Sequence, residues 1–441
     1  MSPEYLAVVM FLGVLVLVMV GVPLYMALGG LGLYFGIAGG WSPQVYDQFI
    51  NRIFGLMSNE VLPAVPLFVF MGVVLEKSGA ADKLFGAFYL AMGGLRGGLA
   101  VATVVICTIF AACTGIVGAS VTTMGLLALP AMLKKGYNIP LATGAICAGG
   151  TLGILIPPSV MMLLYGPMAG LSVAKMFMGA FFPGFVLSAL YIGYIVIICI
   201  IKPELGPPMP KEERKGIPGA KIAADIALYM MPPLFLIFAV LGSIFMGIAS
   251  PTEAAAVGGF GAIIVALAYG QFNFTALQES VISTLKVTCM VMFVALGAFM
   301  FSGVFMALGG AKLIGNFVIS LPLGKWGILV VMMVVIYLLG MFIDWIGILF
   351  IVVPIFTPVA QKLGFDPLWF ALLVCVNLQM SFLSPPFAYS IFYLKGVSPP
   401  EVTIGAIIRG VIPFLILQAV GVALVIIFPQ IILYLPKKLM G

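Results

Sequence analysis

Asp344 lies in the middle of 326–361, an apolar stretch bounded by Lys325 and Lys362. A carboxylate at membrane depth costs at least about 2.5 kcal/mol unless it is paired or hydrated, so it should face a cation or a water-filled cavity. The plainer reading is that Asp344 caps a short helix by accepting from its first N–H groups; the two roles are compatible. Two other stretches have the makings of an ion site. One is 149–159, which offers Gly149, Thr151, Gly153, Pro157, Pro158 and Ser159, and the other is 377–386, which offers Asn377, Gln379, Ser381, Ser384, Pro385 and Pro386. Each contains a Pro-Pro pair, which cannot donate backbone hydrogen bonds and so interrupts a helix. Carbonyls and side-chain oxygens freed there can hold a hard cation, while half-helix N-termini can face an anion. A structural kink explains either pair alone. Two pairs in equivalent positions favour a binding site.

A second apolar stretch, 97–133, has basic residues at its ends and a soft Thr114-Gly115-Ile116-Val117-Gly118 centre. Thr114, Ser120, Thr122 and Thr123 supply neutral oxygens there, compatible with Na⁺ and equally ordinary in helix packing. Ser250-Pro251-Thr252-Glu253 also holds an acid, but Ser, then Pro, then Glu three residues on is a capping box, so it belongs to structure.

Other chemistries are excluded. The chain has no histidine, which removes imidazole metal sites and His-based proton relays. The six cysteines lie singly in apolar runs and read as small packing residues. No His-Glu-x-x-His motif and no close pair of intramembrane acids suggests a membrane-embedded enzyme. A net charge of +6 reflects basic cytoplasmic loops, and no basic face suits a nucleic acid.

These residues must be positioned by helices in lipid. Of 441 residues 63% are hydrophobic and 8% charged, far from the soluble range. The stretches 185–201, 229–248 and 411–433 approach or reach the roughly 20 apolar residues of a membrane span. A β-barrel would instead alternate polar and apolar residues. The start, 1–20, lacks the basic region and cleavage pattern of a secretory signal and is read as a retained helix.

Superposing Pro157-Pro158 on Pro385-Pro386 gives an offset of 228 residues, the separation of Pro157 from Pro385. It also aligns Pro130 with Pro358, Gly136-Tyr137 with Gly364-Phe365, and Pro23 with Pro251. The chain is a duplication, and repeats with broken helices mark secondary transporters. The first repeat is 1–202, with a hairpin at 97–133 and a broken helix at 141–165. A Pro- and charge-rich solvated linker follows at 203–222. The second repeat is 223–441, with a hairpin at 326–361 and a broken helix at 368–394. Amphipathic segments stand at 43–57 and 274–286. Each hairpin limb has about 16 residues, short for a span of about 20, so the hairpins are read as re-entrant. Five crossings per half invert the second half. Most lysines and arginines, among them Lys134, Lys135, Lys202 and Lys221, then fall on the linker side, which makes it cytoplasmic with both termini outside.

The chain resembles the large membrane subunit of TRAP (tripartite ATP-independent periplasmic) transporters, the DctM-like permeases of the ion-transporter superfamily. The resemblance rests on Pro66-Leu67-Phe68, Leu129-Pro130-Ala131-Met132 with Gly136-Tyr137, the stretches 149–159 and 250–256, and Gly340-x-x-x-Asp344 with Pro354 and Pro358. It implies an all-α polytopic fold of inverted repeats, in which a scaffold carries an elevator-type transport domain of two hairpins and two broken helices. It also implies Na⁺-coupled import of an organic acid across a bacterial or archaeal cytoplasmic membrane, with no cofactor besides Na⁺ as coupling ion. The partners implied are a soluble periplasmic binding protein and a small four-helix membrane subunit. Carried over by position, the cation regions would comprise Thr114, Gly115, Gly118, Ser120, Gly149, Thr151, Gly153 and Pro157 in one half. In the other they would comprise Asp344, Asn377, Gln379, Ser381 and Ser384. The substrate would lie between the tips, by Thr122, Thr123, Pro158, Ser159, Asp344 and Pro386. The first tip departs from the family's usual Ser-Gly-Ser run, reading Cys113-Thr114-Gly115-Ile116-Val117-Gly118, so carbonyls carry more of that site. The competing readings are an autonomous Na⁺- or H⁺-coupled anion symporter or exporter of the same superfamily and, remotely, an enzyme.

Overall fold

The computed structural model describes residues 2–40, 42–115, 117–210, 218–270 and 272–440; the side chains of 42–45, 113 and 114 also lie outside the described set. The first half runs α1 (Pro3–Met19), α2 (Leu24–Ala38), α3 (Ser42–Met57), α4 (Ala64–Lys77) and α5 (Ala80–Met92). The hairpin α6 (Gly98–Thr114) and α7 (Val117–Lys134) follows, then the broken helix α8 (Ile139–Thr151) and α9 (Val160–Ala169), and the long α10 (Val173–Ile201). The second half runs α11 (Gly219–Phe245), α12 (Pro251–Ala268), α13 (Phe274–Ala307) and α14 (Gly310–Ser320). Its hairpin is α15 (Lys325–Gly340) and α16 (Trp345–Lys362), its broken helix α17 (Pro367–Ser381) and α18 (Tyr389–Val397), and α19 (Ile404–Ile427) and α20 (Gln430–Met440) complete it.

The same local signals build both halves. Gly136 and Gly364 follow α7 and α16 with φ of 77° and 79°. The next amide then bonds back five residues, Tyr137 N to the Met132 carbonyl and Phe365 N to the Ala360 carbonyl, both at 3.0 Å. That is the glycine-terminated helix end, which only a residue without Cβ enters freely. Asn138 and Asp366, again 228 apart, then cap α8 and α17 through Leu141 N (3.3 Å) and Trp369 N (2.9 Å). The capping box at Ser250 is formed: Ser250 N donates to Glu253 Oε2 at 2.7 Å and Glu253 N to Ser250 Oγ at 3.3 Å. Ser250→Ala should lower stability by about 1 kcal/mol, read as a lowered midpoint in denaturant unfolding of the detergent-solubilised chain.

Three expectations need correction. The amphipathic segment 274–286 is no separate element, since α13 runs unbroken from Phe274 to Ala307. Its counterpart is split into α3 and α4 by 58–63 because Pro63 and Pro66 stand where the second half has Val291 and Val294. The apolar run 411–433 is not one span, because α19 ends at Ile427 and Pro429, which has no N–H to continue it, precedes α20. The linker is neither wholly solvated nor as long as 203–222. Gly97 N donates to the Gly206 carbonyl (2.8 Å), Asn138 N to the Leu205 carbonyl (3.0 Å) and Met209 N to the Gly93 carbonyl (2.6 Å), and α11 starts at Gly219. Residues 211–217 of it lie outside the described set.

Among the described residues seven helices, α7, α10, α11, α12, α13, α16 and α19, are long and apolar enough to cross a membrane; the pair α4 and α5, bent by 55°, is an eighth if it forms one span. The chain is a multi-pass membrane protein. In each hairpin one limb, α7 or α16, has 18 residues and passes that test while its partner does not, so the argument from short limbs applies to only one limb of each. Burial adds to it: α16 is 72% buried, against 33–44% for the other candidate spans.

Glycines set the closest helix contacts. A Cβ on Gly144 of α8 would lie 2.2 Å from the Gly410 carbonyl of α19, and one on Gly410 2.1 Å from the Pro140 carbonyl. The two helices therefore cross backbone on backbone, the way small residues pack spans. Reciprocally, a Cβ on Gly179 of α10 would meet the Leu372 side chain of α17 at 2.4 Å.

Candidate functional site

Each broken helix opens where its sequence loses amides. α8 gives way to a 3-10 turn at Leu152–Ile154, then to irregular chain through Pro157-Pro158 before α9. α17 gives way at Phe382 and the chain resumes helix at Tyr389, after Ala388 with φ of 26°. Both Pro-Pro bonds are cis.

A cavity of about 310 Å³ lies between these breaks and the hairpin tips. Gly115, Val117 and Gly118 come from the first tip, and Asp344 and Trp345 from the second. Ile154 and Val160 come from the first break, and Phe382, Tyr389 and Tyr393 from the second. The start of α2 (Pro23, Leu24, Tyr25) and one side of α13, including Val287 and Val294, close it. Val117, Val160, Trp345 and Tyr389 are each the first residue of a helix: α7, α9, α16 and α18. Four helix N-termini thus meet at one cavity, each carrying roughly half a positive charge. Neither α9 nor α18 has a side-chain cap; at α18 backbone carbonyls take two of the first amides, Ser390 N donating to the Phe382 carbonyl (3.2 Å) and Ile391 N to the Ala388 carbonyl (2.8 Å). No Lys or Arg lines the cavity among the described residues.

Asp344 stands at the N-cap position of α16 with φ −63° and ψ 149°. Its carboxylate lies by the amides of Trp345 and Ile346 without forming a capping bond of regular geometry. Among the described residues the only ion pair is Lys77 with Glu279, so Asp344 has no side-chain cation.

The second break is bound to its hairpin by three contacts along one face. Asn377 Nδ2 donates to the Met333 carbonyl at 2.9 Å, and Ser384 Oγ, whose proton goes to the Met380 carbonyl at 2.7 Å, hydrogen-bonds Tyr337 Oη at 3.1 Å. Between them Ser381 meets Gly340, where a Cβ would lie 1.8 Å from Ser381 Oγ. Both amide atoms of Gln379, which is 0% exposed, and Ser381 Oγ are buried without a hydrogen-bond partner. A buried polar group left unpaired costs about 1–3 kcal/mol, so these oxygens suit a hard cation.

The first half is arranged differently. Gly149 and Gly150 let α6 and α7 approach, since Cβ atoms there would meet Cys107 at 3.0 Å and Val121 at 2.3 Å. Gly115, with φ of 61°, brings its tip against the Pro158 carbonyl, 3.2 Å from where a Cβ would stand. Thr151 Oγ1 donates to the Ala148 carbonyl (2.8 Å) and accepts from Gln418 Nε2 (3.2 Å), so it locks α8 to α19. Ser159 Oγ donates to the Ile154 carbonyl and braces the break. Gly153 and Pro157 are buried in that break. Thr123 Oγ1 donates to Glu76 Oε1 of α4 at 2.6 Å, and Ser120 shares a small recess with these two. Of the residues expected at the site, Gly115, Gly118 and Asp344 line the cavity; Ser120, Thr122, Thr123, Ser159, Pro158 and Pro386 do not. The side chain of Thr114 lies outside the described residues.

Sequence reasoning missed Tyr389, Tyr393 and Glu76. Tyr393 stands 228 residues after Tyr165, a repeat signal that would have found it. Glu76 closes an apolar helix beside Lys77 and looks like an ordinary interfacial charge.

Residues 11–431 match the family described as the tripartite ATP-independent periplasmic transporter, DctM component. A C4-dicarboxylate TRAP transporter large permease protein DctM of Pseudomonas aeruginosa is 31% identical over 401 residues, 90% of this chain and 91% of that one. An ectoine/5-hydroxyectoine TRAP transporter large permease protein of Ruegeria pomeroyi is 29% identical, covering 98% of each chain. The crystal structure of the Alcanivorax borkumensis YdaH transporter shares the fold, with a TM-score of 0.61 and 16% identity over 97% of this chain and 98% of that one.

Proposed function

The chain belongs to the DctM component family of the tripartite ATP-independent periplasmic transporters, and from that premise we propose that it imports an organic carboxylate across the cytoplasmic membrane, driven by Na⁺. The reading rests above all on the convergence of four helix N-termini on the cavity between the hairpin tips. Together they offer roughly two positive charges, which outweigh the single Asp344 carboxylate at the same cavity and can receive an anion without a basic side chain. The solutes named for the two relatives, a C4-dicarboxylate and ectoine, have a carboxylate in common.

The cation regions in this reading combine the carbonyl ends of α8 and α17 with Asp344, which stands at the N-terminal end of α16. Asp344, Gln379 and Ser381, with the carbonyls that end α8 and α17, would hold Na⁺, which supplies positive charge beside the anion and couples the two fluxes. The chain's own part is to hold those oxygens in place, which the Met333, Tyr337 and Gly340 contacts do for the second half. Hairpins and broken helices then move as one body against α2, α4 and α13, exposing the cavity to either side in turn. A periplasmic binding protein delivers the solute and a small membrane subunit completes the assembly.

Reconstitution tests this. Proteoliposomes holding the chain with its small subunit, supplied with binding protein loaded with a radiolabelled carboxylate that it retains, should accumulate label only under an inward Na⁺ gradient. Uptake by this chain alone would overturn the three-component reading, and uptake indifferent to Na⁺ the coupling.

A further inference from the structure

We infer that a second cavity, of about 420 Å³, is a staging site for the carboxylate, with Arg52 of α3 as its anion anchor and Phe299 and Phe350 as the barrier between it and the tip cavity. The inference rests on the reading that the solute is an anion. Asn51, Arg52 and Asn59 line one side of this cavity; no Asp or Glu lines it among the described residues. Arg52 takes part in no ion pair among those residues. Arg52 packs beside Gly303 of α13, where a Cβ would stand 3.9 Å from Arg52 Nε, an ordinary contact distance. An unpaired guanidinium flanked by carboxamides suits a carboxylate, which it can grip with two parallel hydrogen bonds.

The cavity lies on the same crevice as the tip cavity. Both are walled by α9, α13 and α16, through Val160, Val294 and Trp345 at the tip cavity and Leu163, Phe299 and Phe350 at this one. Steps of three to five residues along a helix place the two roughly 5–8 Å apart. Between them the rings of Phe299 and Phe350 meet edge to face, centroids 4.7 Å apart at 72°. Phe350 belongs to the second hairpin and Phe299 to α13 outside it, so movement of the hairpin parts the pair and joins the cavities.

The test uses a cysteine at Gly55, which lines this cavity and whose added Cβ would meet nothing within 4 Å, in a chain with the exposed Cys289 changed to Ser. Labelling of the detergent-solubilised chain by an anionic and a cationic methanethiosulfonate is compared, with the Gly55 parent subtracted as background. Arg52→Gln should lower the anionic-to-cationic rate ratio about tenfold, the scale of a local electrostatic field, and millimolar succinate should slow labelling in the Arg52 chain but not in the variant. An unchanged ratio, or labelling indifferent to succinate, overturns the staging site. Protection by the soluble binding protein and not by succinate would assign Arg52 to docking and overturn it equally. Because no Na⁺ gradient enters the assay, its failure is distinguishable from failure of the coupled-import reading.

Discussion

Asp344→Asn should weaken Na⁺-dependent uptake severely while protein abundance stays the same. Asparagine is as good a cap as aspartate, so α16 keeps its start, and the change removes charge alone. A carboxylate about 4 Å from a monovalent cation contributes about 4 kcal/mol at an effective dielectric of about 20. Loss of even half of that lowers apparent Na⁺ affinity about thirtyfold. Uptake measured against Na⁺ concentration should therefore shift to higher Na⁺ and recover in part at saturation. Wild-type sodium dependence in the variant rejects the ion role and leaves Asp344 as a cap.

Gly340→Ala should cripple transport through geometry instead. The new Cβ would stand 1.8 Å from Ser381 Oγ and 2.4 Å from Ser381 Cβ. Rotation of the hydroxyl relieves the first contact but not the second, so the hairpin tip must retreat from the break. Overpacking of this kind costs about 1–3 kcal/mol, roughly a fivefold to 150-fold fall in uptake if it is taken from the site. Adding Ser381→Gly removes both offending atoms, and the double variant should transport better than Gly340→Ala alone, the signature of coupled neighbours. Wild-type uptake by Gly340→Ala would show that the tip tolerates displacement.

Much of this architecture is written in residues with a single structural meaning. The Pro-Pro pairs interrupt their helices and the Ser250 capping box forms, both as expected, while the glycines at 136 and 364, read in the sequence only as a repeat match, end α7 and α16. The continuity of α13 was equally open to inspection, because Val291 and Val294 replace the two prolines that divide α3 from α4. Other features leave no local trace. The linker docks through backbone amides of Gly97, Asn138 and Met209, which every sequence possesses. Arg52 sits on an amphipathic helix, where a cation at a membrane interface and a cation over a crevice look alike. Oxygens such as Thr123 and Thr151 were plausible ligands by type, and their actual partners, Glu76 and Gln418, come from distant elements.

The two glycine contacts between halves, Gly144 with Gly410 and Gly179 with Leu372, bear on how such a chain arose. In both, the broken helix of one half is held by the long helix near the end of the other half. A half-length chain lacks both contacts, and a dimer of two such copies restores them by lending each long helix to its twin, beside the bond that the second half keeps for itself from Trp369 Nε1 of α17 to the Val425 carbonyl of α19 at 3.1 Å.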